Sequence, residues 1–312
     1  MNMLNSNHQC LTIICPVYNE ANVIPLFFDR IKLVIDKLSS KYRVELLFIN
    51  NSSIDGTLAV LRELRSRFIF VRIITLSSNF GYQKSIECGL RHAKGDIFVF
   101  IDVDCEDPPE MLIDFVRGYE NGYDIVYGAR VDREENIAIK WLRKLFYKIA
   151  RSVADDDFIL YMAEFSLLTS EVREAIICDR SSFPFIRSSI ARVGFNRLGI
   201  PYKRSRRIAG KTHYNFLGMS IFAVSGILAS STLALRLPIY ILPFWLIGTA
   251  ACGTLQIKTG NPWFLLINIL MACLYIGWTV AFIALYVART YKNGLARPNY
   301  IINKRLSDFQ AD

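Results

Sequence analysis

The first half of the chain alternates short apolar runs with longer segments whose apolar residues recur at helical spacing. The apolar runs predict strands at Leu11–Cys15, Val44–Ile49, Phe70–Leu76, Asp96–Ile101 and Asp124–Tyr127. Between them, the helical spacing predicts helices over Val23–Leu38, Thr57–Phe68 and Gly81–Ala93. Strands that alternate with helices of this length are typical of right-handed crossovers in a parallel sheet. We therefore predict an α/β domain with a mostly parallel sheet.

Two uncharged apolar stretches lie near the end of the sequence, at Leu237–Leu255 and Phe264–Ala288. A helix of about 20 apolar residues crosses the hydrocarbon core of a bilayer, so each stretch predicts a transmembrane helix. Basic residues flank the pair on both sides, whereas Lys258 is the one charged residue in the turn predicted at Gln256–Trp263. By the positive-inside rule, both flanks are cytosolic and the two helices form a hairpin.

A third apolar stretch lies between Asn215 and Leu235 and precedes Pro238, where we expect a helix to break. A third transmembrane span here would invert the polarity of the hairpin, so we predict interfacial helices along the cytosolic leaflet. The chain then divides into a cytosolic α/β domain (1–212), juxtamembrane interfacial helices (213–236), two transmembrane helices (237–288) and a cytosolic basic tail (289–312).

The composition agrees with a membrane-bound globular protein. Of the 312 residues, 52% are hydrophobic, which excludes a disordered chain. The net charge is +9, and no Asp or Glu occurs between Arg180 and Ser307, so the excess positive charge borders the predicted spans. Anionic lipid headgroups account for this distribution, and we therefore expect no nucleic-acid partner. Seven cysteines without a C-x-x-C pair favour a reducing cytosol, and the polar N-terminus predicts no signal peptide.

Acidic residues follow the predicted fourth strand in the sequence IDVDCEDPPE. Asp102, Asp104 and Glu106 are spaced two residues apart, which places three carboxylates on one side of an extended segment. Carboxylate oxygens suit Mg²⁺ or Mn²⁺, and such ions are bound together with the phosphates of a substrate. Ligands of parallel sheets bind beyond the carboxyl ends of the strands, and these residues follow such an end. A solvated acidic loop is the alternative interpretation.

Further motifs extend this pattern along the chain: P-V-Y-N-E at Pro16–Glu20, N-F-G at Asn79–Gly81, D-x-D-x-x-D-P-P-E at Asp102–Glu110, Y-G-A-R at Tyr127–Arg130, R-x-x-G-x-T at Arg207–Thr212 and A-R-P at Ala296–Pro298. Together with the two predicted spans, they resemble the inverting family-two glycosyltransferases. The closer resemblance is to the polyprenyl-phosphate group, which comprises dolichol-phosphate mannose synthases and their bacterial glucosyl equivalents.

The resemblance implies a nucleotide-diphosphate-sugar (GT-A type) fold and a specific reaction. A sugar would pass, with inversion, from a nucleotide-diphosphate sugar such as a UDP-hexose to a polyprenyl phosphate at the cytosolic face of the membrane. The cofactor would be Mg²⁺ or Mn²⁺. The protein would be an integral protein of a bacterial inner membrane, with its catalytic domain in the cytosol. A homo-oligomer is compatible with the sequence, which does not fix the oligomeric state.

The resemblance also implies roles for individual residues. The donor nucleotide and its diphosphate would contact Pro16, Tyr18, Glu20, Asn51, Asp55, Asp102, Lys211 and His213. The metal would be held by Asp102, Asp104 and Glu106, and the catalytic residues would be Asp104, Glu164, Arg130 and Arg207. An arginine fork matches phosphate better than lysine does, which suits Arg207 as a phosphate clamp.

Several of these residues have a plainer interpretation. Glu20 would favour a helix N-terminus through its charge, and Asp55 would form a turn with the following glycine. Arg130 would be a surface arginine. Arg207 and His213 would belong to a basic stretch near the lipid headgroups.

The chain departs from the resembled pattern around the predicted pocket. The pattern's D-G-S is Asn51-Ser52-Ser53, and its metal-loop Gln is Glu106. Its G-D-F-R-L is Ala163-Glu164-Phe165-Ser166-Leu167, which lacks the arginine, and His213 stands where a lysine is expected. Because an asparagine offers both a donor and an acceptor, we expect Asn51 to face uracil or, with its amide turned over, cytosine.

Two other functions remain open at this point. The chain could transfer a sugar to another lipid or to a glycan, or it could be a weakened membrane-bound scaffold that binds nucleotide sugars. The sequence does not name the sugar or the length of the polyprenol.

Overall fold

The computed structural model of this protein describes residues 8–130, 162–179, 181, 184–205 and 232–308. In chain order, the elements are β1 (Cys10–Val17), α1 (Ile24–Leu38), β2 (Arg43–Asn50), α2 (Thr57–Arg67), β3 (Val71–Thr75), α3 (Tyr82–His92), β4 (Ile97–Phe100), a 3₁₀ turn (Pro109–Met111), α4 (Leu112–Glu120), β5 (Ile125–Arg130), β6 (Met162–Thr169), α5 (Ser170–Ile177), α6 (Ile186–Arg192), β7 (Arg197–Tyr202), α7 (Leu233–Thr259), α8 (Trp263–Gly294) and a second 3₁₀ turn (Lys304–Leu306).

The strands of the described residues form one sheet in the order β3-β2-β1-β4-β6-β5-β7. β1 pairs in parallel with β2 and β4, and β2 pairs in parallel with β3. β6 is antiparallel to both β4 and β5, whereas β5 is parallel to β7. The predicted mostly parallel sheet is therefore confirmed. Because β2, β1 and β4 are parallel neighbours, their carboxyl ends lie side by side at one edge.

Helices cover both faces of the sheet. α1 and α4 pack on one face, where Phe27 and Phe115 are fully buried. α3 and α5 pack on the other face, and α3 lies unusually close to β1. A Cβ atom at Gly89 would lie 2.3 Å from Ile14 Cγ2, so the absence of a side chain at this position allows the close approach.

The strands and helices predicted in the first half of the chain all form, with small shifts at their ends. The sequence patterns did not predict α4, β6, β7, α5 or α6. β6 has the sequence MAEFSLLT and is buried along nearly its whole length. A strand covered on both faces lacks the alternation of apolar and polar residues that identifies a half-exposed strand, and the polar Glu164 interrupts its apolar run.

α7 and α8 are long and apolar enough to cross a membrane, with mean hydropathies of 1.5 and 2.1 in their most apolar windows. They extend beyond the predicted limits, so the connection shortens to residues 260–262. The expected helix break at Pro238 is wrong, because α7 continues through Pro238 and Pro243. Its neighbour supports it there: the Tyr275 hydroxyl donates to the Pro238 carbonyl at 3.1 Å, and Trp245 stacks on Tyr275. Neighbouring helices make proline tolerable in apolar helices of this kind.

The predicted interfacial stretch falls mainly on residues 206–231, which lie outside the described residues. The segment that follows α8 is described, and it returns to the edge of the sheet at β3. We call residues 299–308 the C-terminal strap. Its backbone pairs with that edge through three hydrogen bonds, from the N–H groups of Ser77, Asn303 and Asp308 to the carbonyls of Ile301, Thr75 and Ile73, at 2.8, 2.8 and 2.9 Å.

Asp308 anchors the end of this strap. Its Oδ2 accepts hydrogen bonds from the N–H of Ile73 at 3.0 Å and from Nε of Arg65 at 3.2 Å. An uncovered edge strand is a template for association with other chains. The strap covers β3 and ties the end of α8 to the α/β domain.

We expect Asp308→Ala to lower the free energy of unfolding by about 1–3 kcal/mol, because the N–H of the buried Ile73 loses an acceptor. Chemical denaturation in detergent measures this loss. Asp36→Ala is the control, since Asp36 makes an exposed pair with Lys32 and its removal should cost at most about 0.5 kcal/mol. Equal losses in the two variants would contradict an anchoring role for Asp308.

Candidate active site

The loops that leave β1, β2 and β4 meet at the carboxyl edge of the sheet, and each contains a strained residue. Asn19, Ser52 and Cys105 have φ angles of 55°, 59° and 54°. Non-glycine residues in this left-handed region cost of order 1–3 kcal/mol, and they cluster at functional sites. Three such residues in three adjacent loops indicate that this edge is the candidate site.

The first two loops are held together by hydrogen bonds. The side-chain oxygen of Asn19 accepts from the N–H of Ile54 at 2.9 Å, and Ser53 Oγ accepts from the N–H of Asn19 at 3.0 Å. The N–H of Glu20 donates to Thr57 Oγ1 at 2.9 Å. The loops therefore form one rigid unit in which the α2 N-terminus meets the loop after β1.

The predicted donor-side residues of the first loop lie at this edge. Pro16 is buried near the end of β1, Tyr18 is half-buried just beyond it, and Glu20 is buried before α1. The structure thus brings these three residues to the edge where the other polar loops meet.

Asp55 joins the same unit from the second loop. Its carboxylate accepts from the N–H of Thr57 at 2.9 Å and from the N–H of Ala21 at 3.3 Å. Burial would raise the pKa of Asp55, but the hydrogen bonds from Thr57 and Ala21 outweigh it and lower that pKa. Asp55 therefore has the turn-forming role given as its plainer interpretation. Contact with a nucleotide stays a prediction.

Asn51 is buried, and both ends of its amide are engaged. Its Oδ1 accepts from the N–H of Phe80 at 2.9 Å, and its Nδ2 donates to Asn79 Oδ1 at 2.8 Å. Asn79 Oδ1 also accepts from the N–H of Gly81 at 3.0 Å. A backbone N–H can only donate, so the amide orientation is fixed. The expectation that the amide turns over to suit different bases is therefore wrong for this arrangement, because inversion would break both bonds.

Asp102 and Asp104 leave the end of β4 close enough for their charges to interact. Asp102 Oδ1 accepts from the hydroxyl of Tyr82 at 2.8 Å, and Asp104 Oδ1 accepts from the N–H of Glu106 at 3.0 Å. Burial of its carboxylate, together with the charges of Asp104, Glu164 and Asp107, raises the pKa of Asp102 to about 8, against a smaller lowering by Tyr82. Burial and the same acidic surroundings also raise the pKa of Tyr82.

This crowding of negative charge fits a divalent cation. Several carboxylates are expensive to bury together, and a cation between Asp102 and Asp104 would offset the cost that the raised pKa of Asp102 reflects. Mg²⁺ and Mn²⁺ suit carboxylate ligands, and Mg²⁺ is commonly bound by one or two carboxylates with water and substrate phosphates completing its shell. The two aspartates therefore fit the predicted metal.

Glu106 is placed differently from the prediction. Its carboxylate pairs with Arg204, and its carbonyl accepts from the N–H of Ser205 at 2.9 Å. Within the described residues, no three acidic, histidine or cysteine side chains are grouped so that they could hold a metal. The structure therefore does not bring Glu106 to the two aspartates as a third ligand. It connects the metal loop with the segment that follows β7.

Arg130 is held at the end of β5 by two residues that the sequence did not single out. Its Nε donates to the hydroxyl of Tyr202 at 3.2 Å, and its Nη2 lies 3.5 Å from Asp107 Oδ2. The Tyr202 hydroxyl also donates to Asp107, which is buried. Burial would lower the pKa of Arg130, but the charge of Asp107 and the contact with Tyr202 raise it. Arg130 is thus a fixed cation, and the surface-arginine interpretation is not supported.

Glu164 on β6 is also buried and faces α3 and α6. Gln83 Nε2 donates to its Oε1 at 2.7 Å, and Arg187 Nε lies 3.4 Å from the same oxygen. Its charge contributes to the raised pKa of both Asp102 and Arg130. Glu164 therefore acts electrostatically on both Asp102 and Arg130.

The remaining predicted residues, Arg207, Lys211 and His213, lie outside the described residues. Their roles stay predictions.

Comparison of the sequence with protein families identifies the family. The sequence profile of "Glycosyl transferase family 2" matches residues 12–194, more than half of the chain. This protein belongs to glycosyl transferase family 2. The matched range runs from within β1 to the end of α6, and hence contains the loops with Asn51, Asp102 and Asp104 and the strand with Glu164. The resemblance stated from the motifs is confirmed at this level.

Relatives of this family 2 glycosyltransferase match it along nearly its whole length. The uncharacterized glycosyltransferase YkcC of Bacillus subtilis is 31% identical over 96% of this chain and 95% of its own. A prophage bactoprenol glucosyl transferase homolog of Escherichia coli is 29% identical over 94% of this chain and 98% of its own. A solved structure, the mannosyltransferase PcManGT from Pyrobaculum calidifontis in complex with GDP-Man and Mn²⁺, is 18% identical over 94% and 89% of the two chains, with a TM-score of 0.45.

Sequence reasoning missed the residues that hold the predicted ones in place: Tyr82, Gln83, Asp107, Arg187, Tyr202 and Arg204. Asp107 could have been identified from the sequence, since it is the first residue of the D-P-P-E element. Glu110 of that element pairs with Arg30 through hydrogen bonds of 3.0 and 2.6 Å, which fixes the metal loop against α1. The others come from distant parts of the chain, and no local spacing marks them.

In this family 2 glycosyltransferase we expect Asn51→Asp to lower the free energy of unfolding by about 1–3 kcal/mol. The new carboxylate would face Asn79 Oδ1, so that one hydrogen bond becomes a repulsion between two acceptors. Asn196→Asp is the matched control at an exposed position and should change that free energy by about 0.5 kcal/mol or less. Equal stability of the Asn51→Asp and Asn196→Asp proteins in chemical denaturation would show that the Asn51–Asn79 contact does not stabilise the loop.

Proposed function

We propose that this chain transfers a sugar from a nucleotide-diphosphate sugar, with UDP-hexose as the first donor to test, to a polyprenyl phosphate at the cytosolic face of a membrane. The observation that carries the proposal is the half-buried Asp102–Asp104 pair at the carboxyl edge of a family 2 domain whose chain continues into two apolar helices. Relatives from Escherichia coli and Shigella flexneri that match nearly the whole chain are named as bactoprenol glucosyl transferases or their homologs, which supports this acceptor.

In the proposed reaction, the acceptor needs little activation. A phosphate monoester has a second pKa near ~6 and is largely dianionic at neutral pH. One of its oxygens attacks the anomeric carbon, and the bond from that carbon to the diphosphate oxygen breaks with its electron pair on the leaving group. A single in-line displacement of this kind inverts the anomeric centre. No protein nucleophile is needed.

Different residues are proposed to bind the diphosphate of the donor and the phosphate of the acceptor. Asp102 and Asp104 would hold Mg²⁺ or Mn²⁺, which when bound neutralises charge on the nucleoside diphosphate. Arg130 is oriented by Asp107 and Tyr202, so it presents a fixed cation to the acceptor phosphate. Arg207, Lys211 and His213 are proposed as further phosphate contacts.

The direct test is transfer of label from nucleotide sugars into an organic extract that contains undecaprenyl or dolichyl phosphate. The donors tested carry uridine, guanosine or cytidine, and each reaction is run with Mn²⁺, with Mg²⁺ and with excess EDTA. We expect metal-dependent label in the lipid fraction. Label found only in another acceptor, or nucleotide-sugar binding without turnover, would contradict the proposal.

We expect Asp104→Asn to reduce transfer at least about 100-fold while the protein stays folded and membrane-bound, because a charged ligand is lost beside the diphosphate. Asp114→Asn is the matched control, since Asp114 pairs with Arg117 at the exposed surface of α4. Transfer by the Asp114→Asn protein should stay within about twofold of wild type. Full activity of Asp104→Asn, or of wild type in EDTA, would exclude the metal assignment.

The proposed placement of the candidate site in the cytosol, with the α7–α8 connection on the other side of the membrane, leads to a separate prediction. In a background with serine at the exposed Cys178 and Cys273, a cysteine at Asn261 should react with an impermeant thiol reagent added outside intact cells. A cysteine at Ile54, which is exposed beside the candidate site, should react only after the cells are opened. The reverse pattern would exclude a cytosolic donor site.

A further inference from the structure

Glu164 is buried between two helices that come from distant parts of the chain. It lies on β6 two residues before the buried Ser166, and the Ser166 hydroxyl donates to the carbonyl of Glu164 at 3.0 Å. α3 contributes Gln83 and α6 contributes Arg187, each from the first turn of its helix. The backbone of Glu164 is therefore fixed by the strand, and its carboxylate by two separate helices.

Gln83 joins these elements through both ends of its amide. Its Nε2 donates to Glu164 Oε1 at 2.7 Å, and its Oε1 accepts from the N–H of Ile186 at 3.1 Å. Because the N–H of Ile186 can only donate, the amide cannot turn over without losing the contact with Glu164. Gln83 thus holds Glu164 at a fixed distance from the start of α6, where Arg187 follows Ile186.

Arg187 places a positive charge beside the same oxygen, Oε1 of Glu164. Its Nε is buried, has no hydrogen-bond partner among the described residues, and lies 3.4 Å from Glu164 Oε1, whereas the side chain as a whole is about a third exposed, at 33%. A buried guanidinium N–H without a hydrogen bond is costly. The ion pair with Glu164 is the described interaction that offsets this cost.

Gln83 and Arg187 both approach Oε1, and the Tyr82 hydroxyl lies beside the same carboxylate. Together these neighbours set the direction in which the other carboxylate oxygen, Oε2, points. In the sheet, β6 lies between β4 and β5, so Glu164 lies between the segment that leads from β4 to Asp102 and the end of β5 at Arg130. Asp102 and Arg130 are the residues proposed for the diphosphate and for the acceptor phosphate, and the charge of Glu164 acts on both. In a displacement, the transferred sugar lies between those two phosphate groups. A carboxylate held between Asp102 and Arg130 is suited to accept hydrogen bonds from the hydroxyl groups of that sugar.

We propose that Arg187, with Gln83, is a positioning residue that turns Oε2 of Glu164 toward the transferred sugar. This inference rests on the proposed function. Arg187 acts through Glu164 and is itself no ligand of the substrate. A carboxylate displaced by about 1 Å can cost on the order of 100-fold in rate.

The test is a double-mutant cycle on transfer of label into polyprenyl phosphate. We expect Arg187→Gln to lower kcat about 10- to 100-fold, with less than a threefold change in KM for the donor. Glu164→Gln should lower kcat at least as much, and adding Arg187→Gln to it should cost less than about twofold more. Arg187→Lys keeps the charge and should recover part of the lost kcat, whereas Arg187→Met should not.

Arg192→Gln is the matched control on the same helix, because Arg192 pairs with Asp179 at the surface. Its kcat should stay within about twofold of wild type. Independent, multiplicative losses from Arg187→Gln and Glu164→Gln, or an unchanged kcat in Arg187→Gln, would overturn the positioning role.

Two further readouts separate the possible failures. Binding of UDP and Mn²⁺ to Arg187→Gln, measured by calorimetry, should match wild type; a parallel loss of binding and of kcat would indicate a general structural defect and overturn the proposal. If wild type transfers no sugar from any donor, the proposed function fails and this inference fails with it. If wild type is active and Arg187→Gln is equally active, the inference alone fails.

Discussion

The position of Asp102, half-buried among other carboxylates, is the constraint on which the candidate site depends. Burial of the Asp102 carboxylate, reinforced by the charges of Asp104, Glu164 and Asp107, raises its pKa to about 8. An arrangement of this kind is costly for the isolated fold, and the fold offsets it locally with Tyr82, Arg130 and Arg187. A divalent cation, bound together with a substrate diphosphate, would neutralise negative charge that the protein leaves uncompensated.

The rest of the fold keeps this cluster rigid. Parallel pairing of β2, β1 and β4 brings three loops to one edge, and side-chain hydrogen bonds join the loops to one another. The chain also returns from α8 along the edge of β3, in the C-terminal strap that Asp308 anchors. β3 leads directly into the loop that contains Asn79, which binds Asn51. The end of α8 and the candidate donor site are therefore connected through the strap, β3 and the Asn51–Asn79 hydrogen bond.

Local patterns predicted most of the first half of the fold, because its strands are apolar runs and α1, α2 and α3 each have apolar residues at helical spacing, whereas the short α4 was not predicted. They also predicted which loops carry the polar site, since DVDCEDPP follows β4 directly. β6 was not predicted because both of its faces are buried and its pattern does not alternate.

The residues that contact the site residues were not predicted for a different reason. Contacts such as Arg187 with Glu164, or Tyr202 with Asp107, join residues far apart in the sequence, and only the tertiary arrangement decides which arginine meets which carboxylate. Glu106 illustrates the limit: its spacing predicted a metal ligand, whereas the fold pairs it with Arg204.

The most direct test of a metal site at Asp102 and Asp104 is Mn²⁺ binding to the detergent-solubilised protein, followed by electron paramagnetic resonance in the presence and absence of a nucleoside diphosphate. We expect wild type to bind Mn²⁺ more tightly when UDP is present, and Asp102→Asn to weaken this binding at least about tenfold. Asp114→Asn should bind as wild type does. Unchanged Mn²⁺ binding in Asp102→Asn, or sugar transfer by a wild-type protein that binds no Mn²⁺ or Mg²⁺ with any nucleoside diphosphate, would contradict this metal site.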